Sequence, residues 1–312
     1  MDYCVFIHTN HKQIVGAKVA EYALRRNSTH NDEFEVKIVQ TEDYPWLREF
    51  DGQLYLRDGV KRVWLYDDLQ SFTPLRFVPP KLMQYQGRAV VIDPDIFAVG
   101  DVWELLSRDM QGKAIMCRAR SGPKGYIDRC LASSVMLLDN AKLTHWDAER
   151  GFREMFEFKR DYQPWICLKL EPRETIGLLE NEWNDFDRLT AKTKMVHNTR
   201  RRTQPWKTGL QVDWRPAEKF RLFPPAAWLM RARRRLFGEY GLLGKYKPHP
   251  DPNQERYFFG LLKECLERGV VSDAMLRNEM RRDHVRHDAL DVLERTAPLA
   301  RDAQPPLQLP AG

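Results

Sequence analysis

Two carboxylates one residue apart, Asp93 and Asp95, are the side chains in this sequence best placed to do chemistry. Oxygen donors at that spacing can share a hard divalent cation, which keeps coordination positions open for substrate phosphates. Such an ion acts as a Lewis acid on a phosphate leaving group. The Asp-x-Asp pattern is common, and the chain holds its own comparison in Asp185-Phe186-Asp187. That second triplet follows Trp183-Asn184 in a polar, turn-like stretch without an apolar run before it, and it reads as a solvated loop or helix start. Asp93 and Asp95 differ in context. The apolar run 89–92 precedes them and Gly100-Asp101 opens a helix after them.

Elements must hold these carboxylates in place. Ala-Val-Val-Ile at 89–92 suits a strand covered on both faces. Pro94 cannot donate to a ladder, so pairing stops there and the aspartates emerge where the chain turns to solvent. In open α/β sheets ligands sit outside the carboxyl ends of strands. Upstream, a strand over 3–7, a helix over 14–25 and a strand over 34–39 predict a parallel sheet with a crossover helix, hence an α/β fold. Further strands are expected over 63–66, 114–117 and 133–138, a helix or irregular turn pair over 74–85, and a helix capped by Asp101 that runs to 106. After about 210 the character changes. Helices are expected over 226–237, 254–267 and 272–294, joined by the proline-rich KYKPHPDP, and the tail 298–312 has little to bury and is expected to be disordered.

Residues 90–106, VVIDPDIFAVGDVWELL, resemble the Asp-x-Asp segment of the retaining glycosyltransferases of the glycogenin and bacterial galactosyltransferase group, glycosyltransferase family 8. Two further segments agree in order: FIHTNHKQIVGAKV (6–19) is similar to the first strand and base loop of that family, and KMVHNTRRRTQPWKTG (194–209) to its late His…Pro-Trp motif. The resemblance covers roughly residues 3–210. It implies a GT-A fold over 1–215, with 216–297 a helical extension. It also implies transfer of a hexosyl group from a nucleotide sugar, UDP-linked, with retention of configuration, assisted by Mn2+ or Mg2+. By that resemblance Asp93, Asp95 and His197 are the metal ligands, Thr9 and Asn10 recognise the base, and Arg76 faces the diphosphate. Gln163 in DYQPW is similar to a glutamine near the reacting sugar, and Asp161 and Glu171 lie close to it. The chain departs from the pattern twice. Ala132 stands where the family has asparagine, and Gln204 stands where a lysine precedes Pro-Trp, which leaves the diphosphate to Lys207 or to one of Arg200, Arg201 and Arg202. No nucleophile is identified.

Composition bounds the alternatives. The chain has 312 residues, 43% hydrophobic and 30% charged, with a net charge of +6, which describes a globular protein able to bury a large core. A basic balance admits nucleic acid, an anionic membrane or a diphosphate ligand. Nucleic acid is the weaker partner, because the strand-to-aspartate arrangement is better explained by a nucleotide sugar; a catalytically silent nucleotide-binding module of the same fold is the other alternative. The acceptor, whether glycan, lipid or protein, is not readable. The Trp-Leu-Met and arginine faces of 226–237 predict packing on the core or, as the rival, peripheral membrane contact through Arg231–Arg235. No apolar run reaches 18 residues and no signal peptide is visible. The five scattered cysteines show neither a zinc spacing nor a disulfide framework, and a reducing cytoplasm is expected.

Overall fold

Buried apolar runs, with alternation where one face meets solvent, build strands β1 (Tyr3–Thr9), β2 (Glu35–Gln40), β3 (Leu54–Arg57), β4 (Val60–Val63), β5 (Arg88–Ile92), β6 (Ile96–Ala98), β7 (Ile115–Ala119), β8 (Leu131–Asp139), β9 (Ile176–Leu178), β10 (Asp185–Phe186) and β11 (Met195–His197). The computed structural model describes residues 2–120, 130–215 and 224–299. Six strands form one sheet in the order β2-β1-β5-β8-β7-β9. β1 is parallel to β2 and β5, β7 is parallel to β9, and β8 runs antiparallel to β5 and β7. The architecture is therefore mixed α/β with a mostly parallel centre.

β5 is buried on both faces. Val90 and Ile92 join Val5, Ile7 and Ala17 in one cluster, and Ala89 and Val91 join Phe6, Phe77 and Phe152 in the other. Helix Ile14–Arg26 covers the first face, and helix Pro252–Glu267 packs on it in turn. There Tyr22 donates to Glu264 at 2.6 Å and Arg26 pairs with the same carboxylate at 2.8 Å. Trp206 and Phe258 rings lie 4.7 Å apart. Phe258, Leu276 and Leu293 thus share the core of the sheet rather than a core of their own.

Several expectations are corrected. The strand expected over 63–66 lies earlier, as β4 paired with β3 around Asp58-Gly59, both at positive φ; an Asp-Gly turn is a strong hairpin signal. The helix expected over 272–294 is broken into Asp273–Arg281 and Ala289–Arg295. The break is tertiary: the Arg286 amide donates to Trp206 O at 2.7 Å and its guanidinium pairs with Glu255 at 2.7 Å. Asp185-Phe186-Asp187 is no solvated loop. Asp185 is buried in β10, which pairs with β11, and Asp187 accepts from Thr199 Oγ1 and from the Arg200 amide.

Cys130 and Cys167 form a disulfide, against the expectation of none. It ties the start of β8 to the end of helix Tyr162–Ile166, beside a Leu131 N–H to Cys167 O bond of 3.3 Å. Since disulfides persist in oxidising surroundings, the cysteines no longer argue for a reducing compartment. Helix Pro224–Phe237 leaves several of its described apolar side chains in solvent. Trp228, Leu229 and Leu236 are 69%, 73% and 75% exposed, which corrects the packing expectation. Among the described residues no helix is long and apolar enough to cross a membrane. Residues 300–312 of the expected disordered tail lie outside the described residues.

Candidate metal site at the end of the central strand

The last rung of β5 towards β8 is the Asp93 amide donating to Ser134 O at 3.2 Å. Pro94 then interrupts the ladder, and after Asp95 the chain re-enters a second sheet, β10-β11-β6. β6 runs antiparallel to β11 with Ile96 opposite His197, and the Asn198 amide donates to Asp95 O at 3.1 Å. That register brings an imidazole to the two carboxylates. One ligand atom from each of Asp93, Asp95 and His197 falls within 4.8 Å of the others, and all three residues are buried. His197 Nε2 is 3.4 Å from Asp95 Oδ1.

The surroundings fix protonation and orientation. His197 Nδ1 meets Asn184 Oδ1 at 2.8 Å, while Asn184 Nδ2 donates to Ser134 Oγ at 3.0 Å. The amide oxygen so oriented accepts a hydrogen bond from Nδ1–H, leaving the Nε2 lone pair towards the carboxylates, the arrangement that metal-ligating histidines use. Arg76 forks onto Asp93, Nε to Oδ1 at 3.0 Å and Nη2 to Oδ2, and its Nη1 donates to Ser133 Oγ at 2.9 Å. His8 Nε2 lies 2.6 Å from Asp93 Oδ1. Burial works against ionisation of Asp93, but Arg76 and His8 overcome it and hold the carboxyl well below its usual range. Burial pulls the His8 pKa down, against the opposing pull of Asp93.

Asp95 is less well served. Its Oδ2 accepts from Gln204 Nε2 at 3.1 Å, but its buried Oδ1 has no hydrogen-bond partner among the described residues, and neither has Gln204 Oε1. A buried carboxylate oxygen without a partner is costly. A divalent ion held by Asp93, Asp95 and His197 would remove that cost, and two carboxylates with one imidazole suit a manganese-like ion. The residues present fit the metal that the resemblance implies.

Close packing holds the Asp-Pro-Asp turn. A Cβ on Gly16 would stand 2.6 Å from Pro94 O, so helix Ile14–Arg26 seats against the turn only with glycine there. Gly16→Ala is therefore expected to displace the turn and cost about 1–3 kcal/mol of stability. Mn2+ affinity, read from the free-ion EPR signal, should fall with it; unchanged affinity would show that the turn does not set the ligand geometry.

The other expected residues are placed variously. Arg76 joins the site, but as the partner of Asp93. Asn10 Nδ2 donates to Asp68 O, Leu69 O and Ser71 Oγ at 3.1–3.2 Å and its Oδ1 accepts from the Lys12 amide, so the amide shapes the loop after β4. Thr9 Oγ1 donates to Asn10 O at 3.1 Å. Asp161 caps helix Tyr162–Ile166 and accepts from the Asp58 and Gly59 amides at 2.6 Å each, and Gln163 Nε2 turns to Cys167 Sγ at 3.2 Å. Neither bonds to the Asp93-Asp95-His197 cluster. Glu171 binds Trp146 Nε1 at 2.9 Å and His145 at 2.8 Å. Lys207 is wholly buried and paired with Asp213 at 2.7 Å. Sequence reasoning missed His8, Asn184 and the Gln204 to Asp95 bond. His8 had a signal, a histidine at the carboxyl end of a strand beside β5; Asn184 had none.

No protein-family model and no curated protein matches the chain. Solved structures do resemble it. The apo glycosyltransferase GlyE of Streptococcus pneumoniae TIGR4 is 14% identical over 86% of this chain and 64% of its own, with a TM-score of 0.47, so this chain spans less than two thirds of GlyE. The galactosyltransferase LgtC in complex with donor and acceptor sugar analogs is 12% identical over 65% of this chain and 89% of its own, with a TM-score of 0.45. Mouse xyloside xylosyltransferase 1 is 13% identical over 64% of this chain and 98% of its own, with a TM-score of 0.42. At this identity and score the likeness carries no inference about activity.

Proposed function

We propose that the chain is a GT-A type glycosyltransferase that transfers a hexosyl group from a nucleotide sugar to an acceptor with the help of Mn2+ or Mg2+. The observation that carries this reading is the meeting of Asp93, Asp95 and His197, from the ends of strands in two different sheets, around a buried carboxylate oxygen that makes no hydrogen bond among the described residues. The UDP identity of the donor and retention of configuration rest on the three ordered sequence segments. When bound, the ion supplies Lewis-acid stabilisation of the charge that grows on the departing diphosphate. The residues of the chain do the rest. Asp93, Asp95 and His197 would hold the ion, Asn184 orients the imidazole, and Arg76 with His8 keeps Asp93 ionised in a place that burial would otherwise neutralise. Preorganised charge in a water-poor site is worth far more than the same charge in water. The test is divalent-ion-dependent release of UDP from UDP-glucose, UDP-galactose and their N-acetyl derivatives. Absence of turnover, together with absence of UDP binding under any divalent ion, would sink the reading.

The acceptor side favours a surface. Trp228, Leu229 and Leu236 share an exposed face of helix Pro224–Phe237, with Arg235 also exposed beside it. Arg233 is drawn to Gly241 O and Glu239 O, and Arg234 towards Glu239; the side chain of Arg231 lies outside the described residues. An apolar face edged by a cation on a chain of net charge +6 suits an anionic bilayer. Trp228→Ala with Leu236→Ala should cut flotation with phosphatidylserine vesicles by about tenfold or more, given the apolar area removed. Equal flotation would discard the membrane contact.

A further inference from the structure

One face of the β3–β4 hairpin gathers cations. Tyr55 and Arg57 alternate onto the same face, and the register sets Arg62 opposite Tyr55. Like charges at neighbouring positions of one sheet face repel, yet Arg62 is buried, and a third guanidinium joins them: Arg215 Nη1 donates to Val63 O at 2.9 Å. The Arg57 guanidinium lies 4.6 Å from the centre of the Tyr162 ring. These five residues and Asp68 line one pocket. The Asp68 carboxylate is taken up by backbone amides, Oδ1 by Gln70 and Oδ2 by Arg215, each at 3.0 Å. Glu239 stands 3.1 Å from Arg215 Nε but is shared with Arg234 at 3.7 Å. Three guanidiniums thus line the pocket with one carboxylate. The side chain of Arg215 is 11% exposed, and its buried Nη2 has no hydrogen-bond partner among the described residues.

Two walls of the pocket hang on groups that touch Asp93. Asn10, two residues past His8, donates to Asp68 O and to Ser71 Oγ at 3.1 Å each. Tyr162 opens the helix whose Ile166 O accepts from Ser133 Oγ at 2.5 Å, and that hydroxyl accepts in turn from Arg76 Nη1. The pocket therefore lies at the same end of the sheet as the metal site without sharing a residue with it. A guanidinium drawn out of water is unfavourable unless an anion completes it, and its fork fits a carboxylate through two parallel hydrogen bonds. Size narrows the ligand. The cavity measures about 40 Å3, and a water needs roughly 10–15 Å3 of such space, so a carboxylate fits where a sugar ring or a base does not. In the glycosyltransferase reading the ion on Asp93, Asp95 and His197 meets the diphosphate of the donor, which leaves this second charged site to the other substrate. We propose that the pocket of Arg57, Arg62 and Arg215 takes the carboxylate of an acidic acceptor, a saccharide of the uronic-acid class. The anion pocket stands on its own residues; its assignment to the acceptor rests on the glycosyltransferase reading above.

The experiment is isothermal titration of wild type, Arg57→Gln, Arg57→Lys, Arg215→Gln and the surface control Arg277→Gln with glucuronate, with glucose 6-phosphate and with glucose, each in Mn2+ with UDP. The thermal melt of each variant is followed to show that it is folded. Wild type should take glucuronate in preference to glucose. Loss of a charged, two-point contact is expected to weaken glucuronate on the order of tenfold to a hundredfold in Arg57→Gln and in Arg215→Gln. Arg57→Lys, which keeps the charge and loses the fork, should fall between, and Arg277→Gln should match wild type. Glucuronate bound no better than glucose, or bound equally by wild type and the folded glutamine variants, would overturn the proposal; UDP release from a nucleotide sugar by the same protein would then leave the glycosyltransferase reading intact. Glucose 6-phosphate bound tenfold more tightly than glucuronate would overturn the carboxylate assignment. Glucuronate binding that depends on Arg57 and Arg215, in a wild type that neither binds UDP nor releases it, would keep the anion pocket and remove the acceptor role together with the glycosyltransferase reading.

Discussion

Asp95→Asn is expected to lower sugar transfer by about a thousandfold and to remove the thermal stabilisation given by Mn2+, while leaving the metal-free protein as stable as wild type or slightly more so. The signs come from the partners of the carboxylate. Its Oδ1 is buried without a hydrogen bond, so neutralising the group relieves a cost in the apo protein. With the ion the balance reverses, because one of two anionic ligands is lost, and charge stabilisation of a transition state is typically worth ~10²–10³ in rate per group. Asp93→Asn should behave differently. Its carboxylate holds Arg76 and His8, both buried, so removal of its charge strands a guanidinium and should destabilise the apo protein by about 3–5 kcal/mol. Melting curves in EDTA and in Mn2+ for the two variants, beside UDP-release rates, separate the roles. A fully active Asp95→Asn would end the metal-assisted reading, whatever the fold.

How far the site was legible depended on the distance over which its information is encoded. β1, helix Ile14–Arg26 and β5 follow from apolar periodicity within a dozen residues, and the Asp-Pro-Asp stop after a buried strand is local too. That His197 meets Asp95 was readable only as part of an ordered motif, because the cause is the β6–β11 register, which no local pattern encodes. Asn184 could not be found at all. It belongs to a stretch that reads as polar turn, yet its amide bridges His197 and Ser134, three segments joined only in the folded state. The same blindness hid the Cys130–Cys167 bond and the break before Ala289, both imposed by tertiary contacts. The Asp58-Gly59 hairpin was legible and was passed over, since the apolar residues after Val63 look more strand-like than the charged pair before it.

Residue type alone misleads most at Lys207, and there the second large effect is expected. A lysine one residue past Pro-Trp looks like a phosphate ligand in sequence, yet its side chain is wholly buried, 2.7 Å from Asp213, whose other oxygen takes the Tyr246 hydroxyl at 2.5 Å. Burial pulls the Lys207 pKa down and Asp213 opposes it. Lys207→Met should leave Asp213 charged and deprived of its cation, at a cost of about 3–5 kcal/mol and a fall in melting temperature of roughly 10 °C. Adding Asp213→Leu should recover most of the loss, because replacing both members of a buried ion pair by apolar groups is often neutral or better. UDP affinity of the folded variant should stay at the wild-type value, since this ammonium does not face the carboxylates of the metal site. Normal melting with UDP affinity lost would instead make Lys207 the phosphate ligand. It would mean that the loop rearranges on binding to free an ammonium the present geometry buries.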